Sequence, residues 1–337
     1  MTKKTTLSDI SRNTGYSVST ISRVLNGRSD GRISERAVAV IKAEAERCNY
    51  SVRPLAQILH KSRTRTIGVV LPSVTNPFFA EMCSSIIHEA GARGYSSIVM
   101  VTLENEEEQS ECISSLLSKK VDGILAAPCG NTVPLFEKLN GSLPVVLVDR
   151  FFLNRDIPYV TSNNFKGAYD ATMMLINNGH RNIVCIQGDA DSLPNRRRLD
   201  GFESAMKAAG CLDSARIVGD GFSVQNGYLE TKLLLNLDDR PTAIFALSYT
   251  ITLGVMKALR DSSLMIGKDI SLVSFDDNMS LDYMYPPITR VSQATEEMGK
   301  LAARVLINEI EGNGGGRTPQ LELSTELVIR DSVCNIN

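Results

Sequence analysis

Apolar positions in the first fifty residues recur every three or four places. Beyond residue 65 they gather into short runs separated by longer amphipathic stretches. The first pattern predicts short helices. Thr6 followed three residues later by Asp9 is a capping-box pattern, and Leu7 and Ile10 continue it into a helix from about Leu7 to Thr14. Gly15 supplies a turn and Ser17 a cap. Val18, Ile21, Val24 and Leu25 then give a second helix its apolar stripe, ending near Asn26 and Gly27. A third helix begins at Ser34, with Val38, Ile41, Ala45 and Cys48 facing inward. Two short helices joined by a glycine turn and backed by a third have the layout of a helix-turn-helix unit.

The second pattern predicts strands at Ile67 to Leu71, Ile98 to Val101, Gly123 to Ala126, Val145 to Val148, Ile183 to Ile186, Ala243 to Leu247 and Leu272 to Phe275. Strands alternating with helical stretches imply parallel sheets wrapped by helices. Gly312 to Gly316 reads as a loop before the last strand, without the Lys-Ser/Thr of a phosphate-cradling loop.

Composition sharpens this division. The 337 residues are 43% hydrophobic and 22% charged, a balance that folds, and the length suits two or three domains. The net charge of −2 conceals an asymmetry. Residues 1 to 65 hold 13 of the 36 Lys/Arg and 5 of the 38 Asp/Glu, so the front carries +8 and the remainder −10. A basic module on an acidic body points to a polyanion as partner of the front, although a solvated basic face would read the same way. The polar start and the absence of a long apolar run predict no signal peptide and no membrane span, hence a cytoplasmic protein. Seven cysteines are scattered singly and the histidines are few, so buried free thiols are expected, with no metal and no cofactor.

An enzyme with a doubly wound fold is one rival reading. The chain has no Gly-x-Ser-x-Gly elbow, no His-Glu-x-x-His and no dinucleotide fingerprint. His60, His88 and His180 have no evident catalytic partner, and His180 is expected to pack or to cap a helix end. An exported solute-binding protein is a second rival. It conflicts with the front module and with the expected lack of a signal peptide.

Leu7-Ser-Asp-Ile10, Ser17-Val-Ser-Thr-Ile-Ser-Arg-Val-Leu-Asn-Gly27 and Asn49-Tyr50 together resemble the LacI/GalR family of bacterial transcription regulators, and the likeness runs through most of the chain. It implies a small all-α helix-turn-helix DNA-binding domain at 1–52, a hinge helix and linker at 53–64, and an α/β periplasmic-binding-protein-like domain at 65–337. The last would have two subdomains of parallel sheets flanked by helices, about 65–163 with 293–323 and about 164–292 with 324–337. Val18, Ser19 and Arg23 would face bases, with Arg23 suited to guanine. Thr6, Ser17, Ser22, Asn26 and Ser34 suit phosphates or caps. Leu59 matches the hinge leucine that wedges into the minor groove, although Leu55, Ile58 and Leu59 would also serve as plain interdomain packing.

The resemblance further implies a homodimer on a near-palindromic DNA operator and a small-molecule effector in the cleft between subdomains. A dimer is favoured over a tetramer because the sequence stops soon after the last strand. Asn76-Pro-Phe-Phe79 matches a family loop, with Phe78 chosen to stack on a ligand and Phe79 left to the core. Asp149-Arg150 ends a strand, Arg198 with Gly201-Phe202 fits an Arg-x-x-Gly-Phe motif, and Asp276 fits a strand-end aspartate. An arginine and an aspartate facing one another across the cleft would engage vicinal hydroxyls, which makes a sugar the leading ligand class. One departure is Ser248-Tyr249, where the family commonly has Asn-Asp. Losing a carboxylate while keeping Asn195-Arg-Arg-Arg198 shifts the expectation toward an anionic sugar phosphate or sugar acid.

Overall fold

The computed structural model describes residues 7–25, 33–48, 63–313 and 318–337. The chain divides into two compact units, Met1–Thr64 and Arg65–Asn337. In the first, α1 (Leu7–Thr14), α2 (Val18–Leu25) and α3 (Glu35–Arg47) close on a core of Ile10, Ile21, Val24, Ile41 and Ala45, with Leu7, Tyr16, Leu25, Ile33 and Val38 at its margin. Gly15 adopts φ +73°, a conformation that costs an L side chain about 1–2 kcal/mol, and its N–H donates to Ser11 O at 2.9 Å to end α1. Ser17 Oγ accepts the Thr20 N–H at 3.1 Å and Ser34 Oγ that of Ala37 at 3.3 Å, so both serines cap as their positions suggest. Glu44 ties α3 to α1 by accepting from Asn13 Nδ2 at 2.8 Å. Thr6, Asn26, Leu59 and the hinge segment up to residue 62 lie outside the described residues.

In the second unit, β1 (Thr66–Leu71), β2 (Ser96–Val101), β3 (Gly123–Ala126), β4 (Val145–Val148), β5 (Tyr159–Ser162) and β11 (Gln320–Leu323) form one sheet in the order β11-β5-β4-β3-β1-β2. All its pairs are parallel, with Ile67 opposite both Ser97 and Gly123. A second sheet runs β12-β10-β9-β8-β6-β7, from β6 (Ile183–Ile186), β7 (Arg216–Val218), β8 (Ala243–Ala246), β9 (Ser271–Phe275), β10 (Thr289–Gln293) and β12 (Thr325–Val328). Here only the pairing of β12 with β10 is antiparallel.

Alternate residues of each central strand enter cores on opposite faces. Val69 packs with Phe79, Met82 and Ile86 of α4 (Pro77–Ala92) and with α11 (Thr295–Glu311), while Val70 packs with Ile113 and Leu116 of α5 (Glu106–Ser118) and Phe136 of α6 (Val133–Asn140). The second sheet is covered likewise by α7 (Asn164–Asn177) and α8 (Leu193–Ala208) on one face, and by α9 (Val224–Leu235) and α10 (Tyr249–Asp261) on the other. This burial on both faces is why the interior strands read as continuous apolar runs. The chain passes between the sheets at Ser162–Asn164, Gln293–Thr295 and Ser324. Where one last strand was expected there are two, β11 and β12, one in each sheet.

Candidate functional site

Strands of both sheets end on a common cavity of about 480 Å³, within the roughly 300–1,000 Å³ of small-molecule sites. Nearly every chemically distinctive residue lining it follows the C-terminal end of a strand. Asn76, Phe78 and Phe79 come after β1, Glu104 after β2, Asp149 and Arg150 after β4, Asp220 and Phe222 after β7, Ser248 after β8 and Asp276 after β9. Parallel sheets present side chains and free backbone groups to ligands at this edge.

Asn76 caps α4 by accepting the Phe78 N–H at 3.1 Å, and Pro77 opens the first turn. This sets Phe78 and Phe79 edge to face, ring centres 5.1 Å apart, both buried and both on the cavity. Phe79 therefore serves core and cavity together. Phe222 brings a third ring, which Gly188 permits: a Cβ there would lie 2.3 Å from the ring.

Arg198, from α8, is buried. Its Nε donates to Asn164 Oδ1 at 2.8 Å, its Nη1 to Leu247 O at 2.6 Å, and its guanidinium stacks 3.8 Å from the Phe275 ring centre. Nη2 faces Asp276 Oδ1 at 3.6 Å. These two share one wall, and the aspartate that faces Arg198 from the other wall is Asp149. Arg198 and Asp276 ride on elements of the second sheet, and the facing wall carries Arg150 and Asp149. Asp276, at φ +77°, also accepts from Gln293 Nε2 at 2.6 Å. Arg150 is buried and forked onto Glu104, with Nη1 to Oε2 at 2.6 Å and Nη2 to Oε1 at 2.7 Å.

Asp149 is buried at φ +63° with Oδ1 unpartnered, as is Ser192 Oγ on the same cavity. Burial pushes the Asp149 carboxyl up to about 6, against the downward pull of Arg198 and Arg150 and with upward help from Asp276 and Glu104. Buried polar atoms without partners are costly unless something meets them.

Two expectations are corrected here. Tyr249 does not line the cavity. It is the first residue of α10 after the Ser248 cap, so its ring leans into the apolar core behind β9 and its hydroxyl meets Ser280 Oγ at 3.0 Å. Its backbone N–H alone reaches the site, donating to Asp276 Oδ2 at 3.3 Å, and Ser248 and Thr250 supply the wall. The anionic ligand is also disfavoured. Among the described residues, five carboxylates line the cavity (Glu104, Asp149, Asp189, Asp220 and Asp276) against the two guanidiniums of Arg150 and Arg198, and both guanidiniums already face carboxylates. Arg196 and Arg197 are exposed and off this cavity.

His180 is buried in the core, its Nδ1 2.9 Å from Thr242 Oγ1 and its Nε2 2.9 Å from Ser271 Oγ, and burial lowers its pKa. Glu104, Asp189, Asp220 and Phe222 were missed by sequence reasoning. Applying the strand-end rule to every strand would have flagged Glu104 and Asp189, whereas Asp220 and Phe222 follow β7, three residues long and unrecognised.

In the first unit α2 is two-faced. Ile21 and Val24 are buried, while Val18 and Arg23 are exposed with Ser17 and Ser19, and Ser22 is half-buried. Val18, Ser19, Ser22 and Arg23 fall one turn apart, so they share a face.

A family model for a periplasmic binding protein-like domain matches residues 172–333. The ribose operon repressor of Escherichia coli K12 is 33% identical over 309 residues, covering 90% of this chain and 93% of its own. The crystal structure of a LacI family transcriptional regulator from Enterococcus faecium with bound ribose is similar at a TM-score of 0.74, with 25% identity over 81% of this chain and 100% of that one. The lac repressor dimer bound to operator shares the fold across 98% of this chain and 100% of its own, at a TM-score of 0.87 and 24% identity. The fold, with its cavity at the strand ends, is that of a periplasmic-binding-protein-like domain behind a three-helix unit. The chain belongs to the LacI family of transcriptional regulators.

Proposed function

We propose that this chain is a repressor that binds a near-palindromic operator as a homodimer, and that a neutral sugar held in the 480 Å³ cavity controls its hold on DNA. The observation that carries the ligand is the cavity lining, in which aromatic faces stand beside arginine–carboxylate pairs and unpartnered Asp149 and Ser192 oxygens. Aromatic rings cover the C–H face of a sugar, while the charged pairs donate to and accept from its hydroxyls. The excess of carboxylates repels phosphate and carboxylate groups. Ribose is the first candidate, since one relative is named a ribose operon repressor and one similar structure holds ribose.

The exposed face of α2 is the DNA-reading surface in this proposal. Val18, Ser19 and Arg23 address base edges, and Ser17 and Ser22, with Thr6 and Asn26, address phosphates. Leu59 supplies the hinge wedge. A second copy covers the apolar surface around Met265 (52% exposed) and Tyr285 (99% exposed), where Leu253, Met256, Met284 and Pro286 line a groove.

Selection of binding sites from random duplex DNA tests the proposal. The full chain is expected to return an inverted repeat. Arg23→Ala is expected to lose discrimination at one position in each half-site, at a cost of about 1–3 kcal/mol per contact. The same consensus from the variant would remove Arg23 as a base reader.

A further inference from the structure

The loop from Thr102 to Asn105 adopts an unfavourable conformation, and packing does not repay it. Leu103 and Glu104 both take left-handed backbone angles, φ +52° and +61°. Such angles are unfavourable for non-glycine residues and persist where the surroundings impose them. The Leu103 side chain gains no burial in return, since it is 75% exposed. The backbone is pinned on both sides, with the Thr102 N–H on Leu71 O at 3.0 Å, the Leu103 N–H on Pro72 O at 3.1 Å and the Asn105 N–H on Thr102 O at 2.9 Å. The bend sets Asn105 to cap α5, its Oδ1 accepting the Glu107 and Glu108 N–H groups at 2.8 and 2.9 Å, and delivers the Glu104 carboxylate to Arg150.

That pair occupies the ligand-facing cation of the first wall. The Arg150 side chain is 7% exposed and Glu104 42%, so the guanidinium is fixed while the carboxylate is its accessible cover. The remaining surroundings of Arg150 are Pro128 O at 3.4 Å, Asp149 Oδ2 at 4.0 Å, and the Phe79 and Phe222 rings at 5.8 and 6.0 Å. Without Glu104, the two Nη groups would form an open fork of the geometry that phosphate and carboxylate groups bind.

We infer that Glu104 sets the charge specificity of the cavity. By closing the Arg150 fork it makes the site accept neutral sugars and reject their acid and phosphate forms. This rests on the reading of the cavity as a sugar site. A neutral ring leaves the pair intact and hydrogen-bonds to its edge, whereas an anion must displace Glu104 and then sit beside it. Glu104→Gln removes the charge while keeping one acceptor on Arg150, so the fork stays placed but no longer repels an anion.

Calorimetric titration of the full chain with matched pairs, namely ribose with ribose 5-phosphate, glucose with glucuronate and galactose with galacturonate, tests this. In the parent the neutral member of one pair is expected to bind and its charged partner to bind at least about tenfold more weakly, the effect of one like charge a few ångströms away. In Glu104→Gln that preference is expected to fall by about tenfold or to reverse. Adding Arg150→Gln should abolish the anion affinity gained. Glu104→Ala gives the same reading if Gln disturbs the loop. An unchanged preference in both Glu104 variants, with neutral binding intact, would overturn the role of Glu104 alone. Failure of every neutral sugar to bind the parent would overturn the sugar-site reading and this inference with it.

Discussion

Asp149 holds a carboxyl inside the protein between Arg150 and Arg198, with one oxygen unpartnered and its proton affinity raised to about 6. Between the usual carboxylate value and about 6, the folded state binds more protons than the unfolded one. Stability is therefore lost as pH rises through that window, by an amount on the order of 2–3 kcal/mol. Asp149→Asn should remove this slope. The variant is expected to melt above the parent at pH 7.5 and to draw level with it near pH 4; identical pH profiles of thermal unfolding would refute the assignment. At Arg198 the expected effect is on binding. Arg198→Ala deletes the guanidinium shared by Asn164, Leu247 and Asp276, and should weaken neutral-sugar binding by roughly tenfold to a hundredfold, the worth of hydrogen bonds to a charged group. Calorimetry at unchanged affinity would place the ligand elsewhere. Phe78, Arg150, Ser248 and Asp276 are brought together by position at strand ends, which sequence reveals once the strands are recognised, and Arg198 reaches them from α8. Glu104 could be placed at a strand end, but its pairing with Arg150 was opaque because it depends on a backbone bend that two ordinary residues give no hint of.

Among elements, the capped helices and the strands with continuous apolar runs were legible because each carries a single strong pattern. Leu7–Thr14 and Glu35–Arg47 fall where caps and stripes put them, and β3, β4 and β6 match their apolar runs residue for residue. The short or polar strands β5, β7, β10, β11 and β12 were not. β10 reads Thr-Arg-Val-Ser-Gln, yet it is largely buried, because Arg290 is neutralised by Asp277 at 2.5 Å and Asp282 at 2.9 Å, and Ser292 donates to Asp277 at 2.8 Å. A strand whose polar side chains are satisfied by partners distant in sequence carries no apolar signal. β11, Gln-Leu-Glu-Leu, is half exposed and only four residues long. In the first unit, replacing Ser34 by Ala removes the cap of α3 and should cost about 1 kcal/mol of that unit's stability. Its thermal or urea midpoint should fall, with the second unit's transition unmoved; an unaltered first transition would show that the cap contributes nothing.

For the whole molecule, the proposal joins two separately folded units into one switch. The face of α2 proposed to read DNA lies in the first unit, and the cavity proposed to hold the sugar lies in the second. Function must then lie in their thermodynamic linkage. If the sugar changes operator affinity by some factor, operator must change sugar affinity by the same factor. Dimerisation belongs to this scale too. Tyr285→Glu places a charge in the apolar surface proposed for the second copy, and sedimentation is expected to show a dimer for the parent and a monomer for the variant. A variant that remains dimeric would move the interface elsewhere. The most direct test of the central claim is the affinity of the parent chain for its selected duplex, measured with and without a saturating neutral sugar that calorimetry has shown to bind. The expected result is a shift of about tenfold or more in either direction, lost in Arg198→Ala at the same sugar concentration, whereas equal operator affinity with and without bound sugar would contradict the account.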